Sequence, residues 1–516
     1  MPRRARLSSP DLPWPITQVT DTQGGTLTRL YDGLDRLTRE TTAQGQLDYS
    51  YDAASRRASA TVAGQAALTY AYDNANRLTG LTRGSDTVGL SDDAADRRAT
   101  LTLPNAIVAS YSYDNANQLS AISYDKGATT IGDLSYGYDA AGQRTALGGS
   151  LGAMTLPAAL ASASYDAANR LTNWAGTALS YDLNGNLLSD GSKTFNWDAR
   201  NRLAALSGAA SASFAYDPFG RRTGRTVGAV ATGFVYDGIN PVQELTGTTP
   251  KANLLTGPGV DAVFARTDST GTKSFLTDAL GSSLALSDAA GTLQTQYSYE
   301  PYGKTTASGA ASDNAVQYTG RENDQTGLYF YRARYYDPLR QRFVSEDPIG
   351  LEGGINPYVY VNNAPTMYVD PSGENPVIIA GAILGGLAGG ISAYQQGGSL
   401  GQVAFATGSG ALAGGVIAAT ATSLVVATAA RFAGGTIANL LGQGLFKPDD
   451  CQFNYAGALG AGVNSAFVGG FRSLSTAAAG ISSTSARIGA GIPFVGAQVS
   501  GNAMIARDTK PECGCH

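Results

Sequence analysis

Histidine is almost missing from this sequence: of 516 residues one is a histidine, and it is the last, His516. That excludes nucleophile–histidine catalysis and histidine-ligated metal centres from everything before it. Cysteine is nearly as scarce, and Cys451, Cys513 and Cys515 all fall near the end. Such a set is too small for a disulfide framework. Charge is sparse as well, at 15% of residues with a net of −5. No broad basic face is expected, and so no nucleic-acid partner. The opening MPRRARLSSPDLPWP is basic but has no apolar stretch behind it, so no Sec-type signal peptide is expected. Export would then need a dedicated secretion system or an upstream partner chain, with a cytoplasmic location before it. A fragment of a longer product is the other reading.

What the chain has is glycine, 65 residues of it, and a repeat. A unit of aromatic-Asp, three residues, then Arg or Asn and Leu-Thr starts at Tyr31, Tyr51, Tyr72, Tyr113, Tyr138, Tyr165, Tyr181, Trp197, Tyr216 and Tyr236. A degenerate copy lies at Asp92-Asp93. Upstream of each Tyr-Asp the pattern alternates, as in Leu68-Thr69-Tyr70-Ala71-Tyr72, which reads as a strand with one buried face. The Asp-x-x-Asn/Gly stretch is turn chemistry, and Arg-Leu-Thr opens the return strand. Each unit is expected to be one β-hairpin, stacked on the next. A residue type repeated this often is a packing device: Asp should hold its own turn, and Arg should lie on a neighbouring Tyr face or Asp carboxylate. No helical period appears before residue 374.

Residues 278–373 read differently. They include DALGSSLALSDAAGTLQTQYSYEPYGK, TGLYFYRARYYDP, RFVSEDPIGL and GGINPYVYVNN followed by DPSG. Leu328 to Tyr336 is expected to be a strand apolar on both faces, hence sandwiched. Asp337-Pro338, Asp347-Pro348 and Asp370-Pro371 are turn-initiating dipeptides.

The repeats and these strings together resemble the RHS/YD-repeat family of bacterial RHS toxins, the C components of insecticidal Tc toxins and, more distantly, teneurins. The likeness covers residues 25–373. It implies a mainly β fold, in which hairpins spiral into a sheet or partial hollow shell around a C-terminal payload. Four regions follow: an irregular 1–24, repeats over 25–277, the repeat-associated core over 278–373, and a variable region over 374–516. About 350 residues of repeat look short for closure, so an open shell completed by a partner chain or further sequence is expected.

The resemblance also implies that Asp347 and Asp370 act as an aspartyl-type autoprotease, cutting after the second DPxG at Gly373–Glu374. Two adjacent carboxyls cannot both ionise; the charged one would activate water while the protonated one polarises the carbonyl. The alternative is two structural turns. The sequence departs from the family pattern at Glu346, where Arg is common, and at Glu374, where the cut is usually before Leu. Ala279 and Gln341 replace a frequent His and Gly.

Past Gly373 the composition changes. Residues 375–430 lack Asp, Glu, Lys and Arg, and Gly381, Gly385 and Gly389 recur at four-residue spacing, as do Gly410 and Gly414. This predicts a packed Gly/Ala-rich α-helical segment, carried as cargo, with membrane insertion of 375–430 as the alternative. No toxin signature follows. Cys451, Cys513, Cys515 and His516 fit no standard zinc spacing, so free thiols or a disulfide are expected, with no metal and no cofactor. The reading is a shell that packages its own C-terminal region within a secreted toxin or competition system. A surface adhesion or carbohydrate-binding protein without cleavage is the alternative.

Overall fold

The computed structural model describes residues 15–374 and the short strand Val377–Ile378. The expected Gly/Ala helix, its membrane alternative and the Cys451–His516 group lie outside the described residues. Within them there is no α-helix; three single 3-10 turns interrupt an otherwise antiparallel β architecture.

The repeat is the unit of construction. In strand Gln46–Tyr51, Leu47 and Tyr49 are buried while Asp48 and Ser50 face outward, the alternation a pleated strand imposes. At the strand's end Asp52 Oδ1 accepts from the backbone N–H groups of Ala54 and Arg56, both at 2.9 Å. Its Oδ2 accepts from Arg56 Nε at 2.7 Å. The turn needs one left-handed residue, and Ser55 supplies it at φ 60°. Asp35, Asn76, Asp96, Asn117, Asn169 and Asn201 take that place in other units at φ 57–64°. Short polar side chains tolerate this conformation best after glycine, which explains the Asn/Asp bias of the motif.

Each unit also grips the next. The Arg36 guanidinium lies 4.7 Å from the Tyr51 ring, Arg56 4.6 Å from Tyr72 and Arg97 4.4 Å from Tyr113. Arg56 Nη1 reaches on to Asn76 Oδ1 at 2.9 Å. In return the Tyr51 hydroxyl donates to the Leu37 carbonyl at 2.8 Å, and Tyr72 to that of Arg57 at 3.0 Å. The roles expected for Asp and Arg are thus the observed ones. The degenerate copy keeps the turn, with Asp93 bound to Arg97. The copy at Tyr236 does not. Its strands join through two residues, and Asp237 leaves its turn to accept from Tyr49 Oη at 3.2 Å and Arg57 Nη1 at 2.5 Å.

The units stack into a first sheet of thirteen strands and a second of fourteen, both strictly in sequence order, while the Tyr165 unit forms a separate three-stranded sheet over Ala163–Tyr165, Leu171–Trp174 and Thr177–Ala178. The segment expected to be irregular up to residue 24 already supplies the first strand, Gln18–Asp21, paired with Gly25–Tyr31. Leu47, Leu81 and Val88 of the first sheet pack with Val235, Leu245 and Leu255 of the second. Ile122 and Leu134 likewise meet Phe275 and Leu286. Between the two sheets, therefore, the described residues leave a packed core where a hollow shell would have a chamber.

The core segment adds a four-stranded sheet over Glu322–Phe343. The single strand expected from Leu328 to Tyr336 is a hairpin instead, with strands Tyr329–Tyr331 and Arg334–Asp337. Arg332 takes φ 59° at its turn. Its guanidinium compensates by holding Asp261 at 2.7 Å and the Pro371 carbonyl. Both faces are buried, as expected. Tyr329, Tyr331 and Tyr336 join one apolar cluster, and Phe330 and Tyr335 another.

Candidate functional site

Asp347 and Asp370 lie 23 positions apart in the sequence but meet at one cation. Asp347 Oδ2 is 2.8 Å from Arg334 Nη2, and Asp370 Oδ2 is 3.5 Å from the same nitrogen. All three side chains are buried, with 2–4% of each exposed. Arg334 is fixed by the hairpin turn beneath it. Its guanidinium lies 3.6 Å from the centre of the Phe343 ring, and Nη1 donates to the Pro357 carbonyl at 2.8 Å.

Arg334 Nε donates to the carbonyl oxygen of Gly373. On the other side of that peptide bond, the Glu374 N–H donates to Asp370 Oδ1 at 3.1 Å. Asp370 Oδ1 also accepts from Gly373 N at 2.8 Å and from Ser372 Oγ at 3.3 Å. Asp370 therefore caps its own turn and is also a neighbour of the expected scissile nitrogen. Asp347 accepts from Ile349 N at 3.0 Å. Gly373 sits at φ 74°, and a Cβ there would come within 2.2 Å of the Tyr331 carbonyl, so no side chain fits. Ala333 N holds the Ser372 carbonyl at 3.0 Å. The bond between residues 373 and 374 is thereby pinned against the Tyr331–Arg334 turn.

Burial pushes the carboxyls of Asp347 and Asp370 upward, with Arg334 opposing. Glu374 is raised too, first by burial and then by the two aspartates. Burial in turn lowers Arg334. Three carboxyls around one guanidinium cannot all ionise cheaply, so the cluster favours holding a proton. The exposed Glu346 does not join it. Its Oε1 accepts from the Tyr358 hydroxyl at 3.3 Å, beside Gly185.

Two participants were not picked out by sequence reasoning. Arg334 looks like one more arginine among tyrosines; the clue was that two buried carboxyls require a cation nearby. Gly353 closes over Asp347, where a Cβ would stand 2.4 Å from Oδ2.

Comparison with known proteins bears on the family and the fold. The teneurin YD-shell family model matches residues 99–358, and the RHS repeat model matches residues 31–67. The tRNA3(Ser)-specific nuclease WapA of Bacillus spizizenii is 35% identical over 227 residues, covering 41% of this chain and 10% of that protein. The toxin protein Tse5 of Pseudomonas aeruginosa is 40% identical over 110 residues, 21% of this chain and 8% of Tse5. The chain thus spans about a tenth of the length of these curated relatives. The Tc holotoxin pore of Photorhabdus luminescens aligns over 69% of this chain and 24% of its own, with a TM-score of 0.54 and 19% identity, a likeness of fold. With a family model matching half its length and a ladder of Asp-capped hairpins to go with it, the chain belongs to the RHS/YD-repeat proteins of the teneurin YD-shell family.

Proposed function

We propose that this chain is a shell segment of an RHS-type toxin, exported through a dedicated system for contact-dependent competition, that cuts itself between Gly373 and Glu374. The observation that carries the reading is the posture of that one peptide bond, its carbonyl on Arg334 and its N–H on Asp370. Asp347 as the ionised partner takes a proton from water, and the water oxygen bonds to the Gly373 carbonyl carbon. Arg334 faces the oxygen on which negative charge develops, the position where a preorganised donor lowers a barrier most. As the C–N bond breaks, protonated Asp370 passes its proton to the Glu374 nitrogen, leaving a Gly373 carboxylate and a free amine. The region from Glu374 onward is then the released cargo. Because the inner faces of the two sheets pack on each other, room for that cargo would be built with further repeats or a partner chain.

Intact mass of the purified full-length protein tests this, beside Asp347→Asn, Asp370→Asn and Arg334→Gln. Two fragments meeting at Gly373–Glu374 are expected from the wild type and one chain from each aspartate variant. Arg334→Gln should slow the cut about 100-fold or more, as loss of an oxyanion donor does. A wild type that stays whole, or aspartate variants that still cut, would refute the assignment.

A further inference from the structure

Among the described residues, Arg57, Arg98, Arg221, Arg222, Arg266, Arg321, Arg334 and Arg342 are buried arginines. The first seven each carry a carboxylate partner. Arg342 has none among those residues. Its Nη2 donates to the Asn169 carbonyl at 2.5 Å, and its guanidinium lies 5.2 Å from the Tyr165 ring and 5.0 Å from that of Tyr358. Its Nε is buried with no hydrogen-bond partner. A buried cation left without an anion is costly, and the fold has supplied one in every other instance.

Arg342 lines a cleft of about 690 Å³, the size of a small-ligand site. The other charges there are already matched: Lys304 by Glu300 at 2.8 Å, and Arg340 by Asp337 at 2.6 Å and Asp190 at 3.2 Å. The remaining wall combines two aromatic side chains, Tyr165 and Trp174, and three amides, Gln341, Asn356 and Asn363, with an apolar stretch from Pro157, Ala158, Ala159, Leu160, Leu339 and Val359. Tyr165 is 57% exposed, so it is open to a ligand. Amides donate and accept at once, which suits neighbouring hydroxyls, and aromatic faces suit the C–H faces of a sugar ring.

We propose that this cleft binds a carboxylate-bearing saccharide, with its carboxylate on Arg342, its hydroxyls on Gln341, Asn356 and Asn363, and a ring face on Trp174 or Tyr165. An acidic peptide would satisfy Arg342 but would leave the three amides and the aromatic faces with less to do. The site is separate from the Asp347–Asp370 cluster and does not depend on cleavage.

Calorimetric titration of the full-length chain with trigalacturonate, neutral galactotriose and hexaglutamate tests the assignment. Trigalacturonate should bind saturably and weaken with salt, while galactotriose binds at least about tenfold more weakly, since the ion pair is lost. Arg342→Gln and Gln341→Ala should each weaken trigalacturonate about tenfold or more at unchanged thermal transitions. Should Arg342→Gln fail to fold, Gln341→Ala and the galactotriose comparison decide. The proposal falls if the wild type does not bind trigalacturonate, if Gln341→Ala binds unchanged, or if hexaglutamate binds as tightly.

Discussion

At the scale of single residues, the site is a shortage of cations. Arg334 faces Asp347 and Asp370, and burial raises both of these carboxyls and Glu374. A carboxyl raised in the folded state keeps its proton below its new value and loses it as pH climbs through that value. The proton that cleavage requires is therefore retained above the ordinary carboxyl range of about 4 and lost at higher pH. Self-cutting should be fastest in mild acid and fade toward alkaline pH, followed by gel after a pH jump of uncut protein. Glu374→Leu removes the third carboxyl and places an apolar residue at the cut. It should speed the reaction severalfold; an unchanged rate would mean that Glu374 is neutral in the uncut state. The two aspartates were legible as turn dipeptides, and their pairing came from the family resemblance. Arg334 was not legible, because an arginine near tyrosines and aspartates occurs throughout the ladder and says nothing about which carboxyl it will meet.

At the scale of the element, each Asp-capped turn depends on one carboxylate, and its worth varies with burial. Asp217 is 2% exposed. It accepts from Phe219 N and Arg221 N at 2.9 Å each and from Arg221 Nε at 2.6 Å. Asp217→Ala strips a buried arginine of one anion, leaving it Glu40 at 2.8 Å, and should cost about 3 kcal/mol. Asp52→Ala makes the same change at a half-exposed turn and should move the urea midpoint far less. Equal shifts would show that the turn bonds, and not burial of the ion pair, set the cost. These hairpins were readable because the turn closes within five residues, and local chemistry decides it. The same turn recurs at Leu103–Ile107, Asp278–Ser282, Asp288–Thr292 and Glu300–Lys304, unannounced because Tyr-Asp is absent there. Nor could the sequence show that Asp237 would abandon its turn, since Tyr49 and Arg57 reach it from about 180 residues away. The hairpin at Tyr329–Asp337 was hidden by its own composition, aromatic on both faces with no glycine at the bend.

At the scale of the whole described region, both large sheets run in sequence order and have two free edges. Strands Gln18–Asp21, Arg144–Gly148, Ser180–Tyr181 and Thr305–Gly309 are the edge strands of the two sheets, each paired on one side. Hydrogen exchange by mass spectrometry should find them exchanging fastest, with the interior strands Leu119–Lys126 and Asn240–Thr246 slowest. Protection as strong at Gln18–Asp21 or Thr305–Gly309 would mean that something covers those edges in solution. The linear order has a further consequence, in time and not in space. Strands that bond only to their neighbours in sequence can be laid down one by one as a chain leaves the ribosome, each finding its partner already waiting. Arg334, Asp347 and Asp370 are synthesised after every strand of both large sheets, and they converge only once the Tyr331–Arg334 turn is seated. Under the proposed function, order of synthesis works as an interlock: the blade is fitted last, so a half-built nascent chain has nothing with which to sever itself.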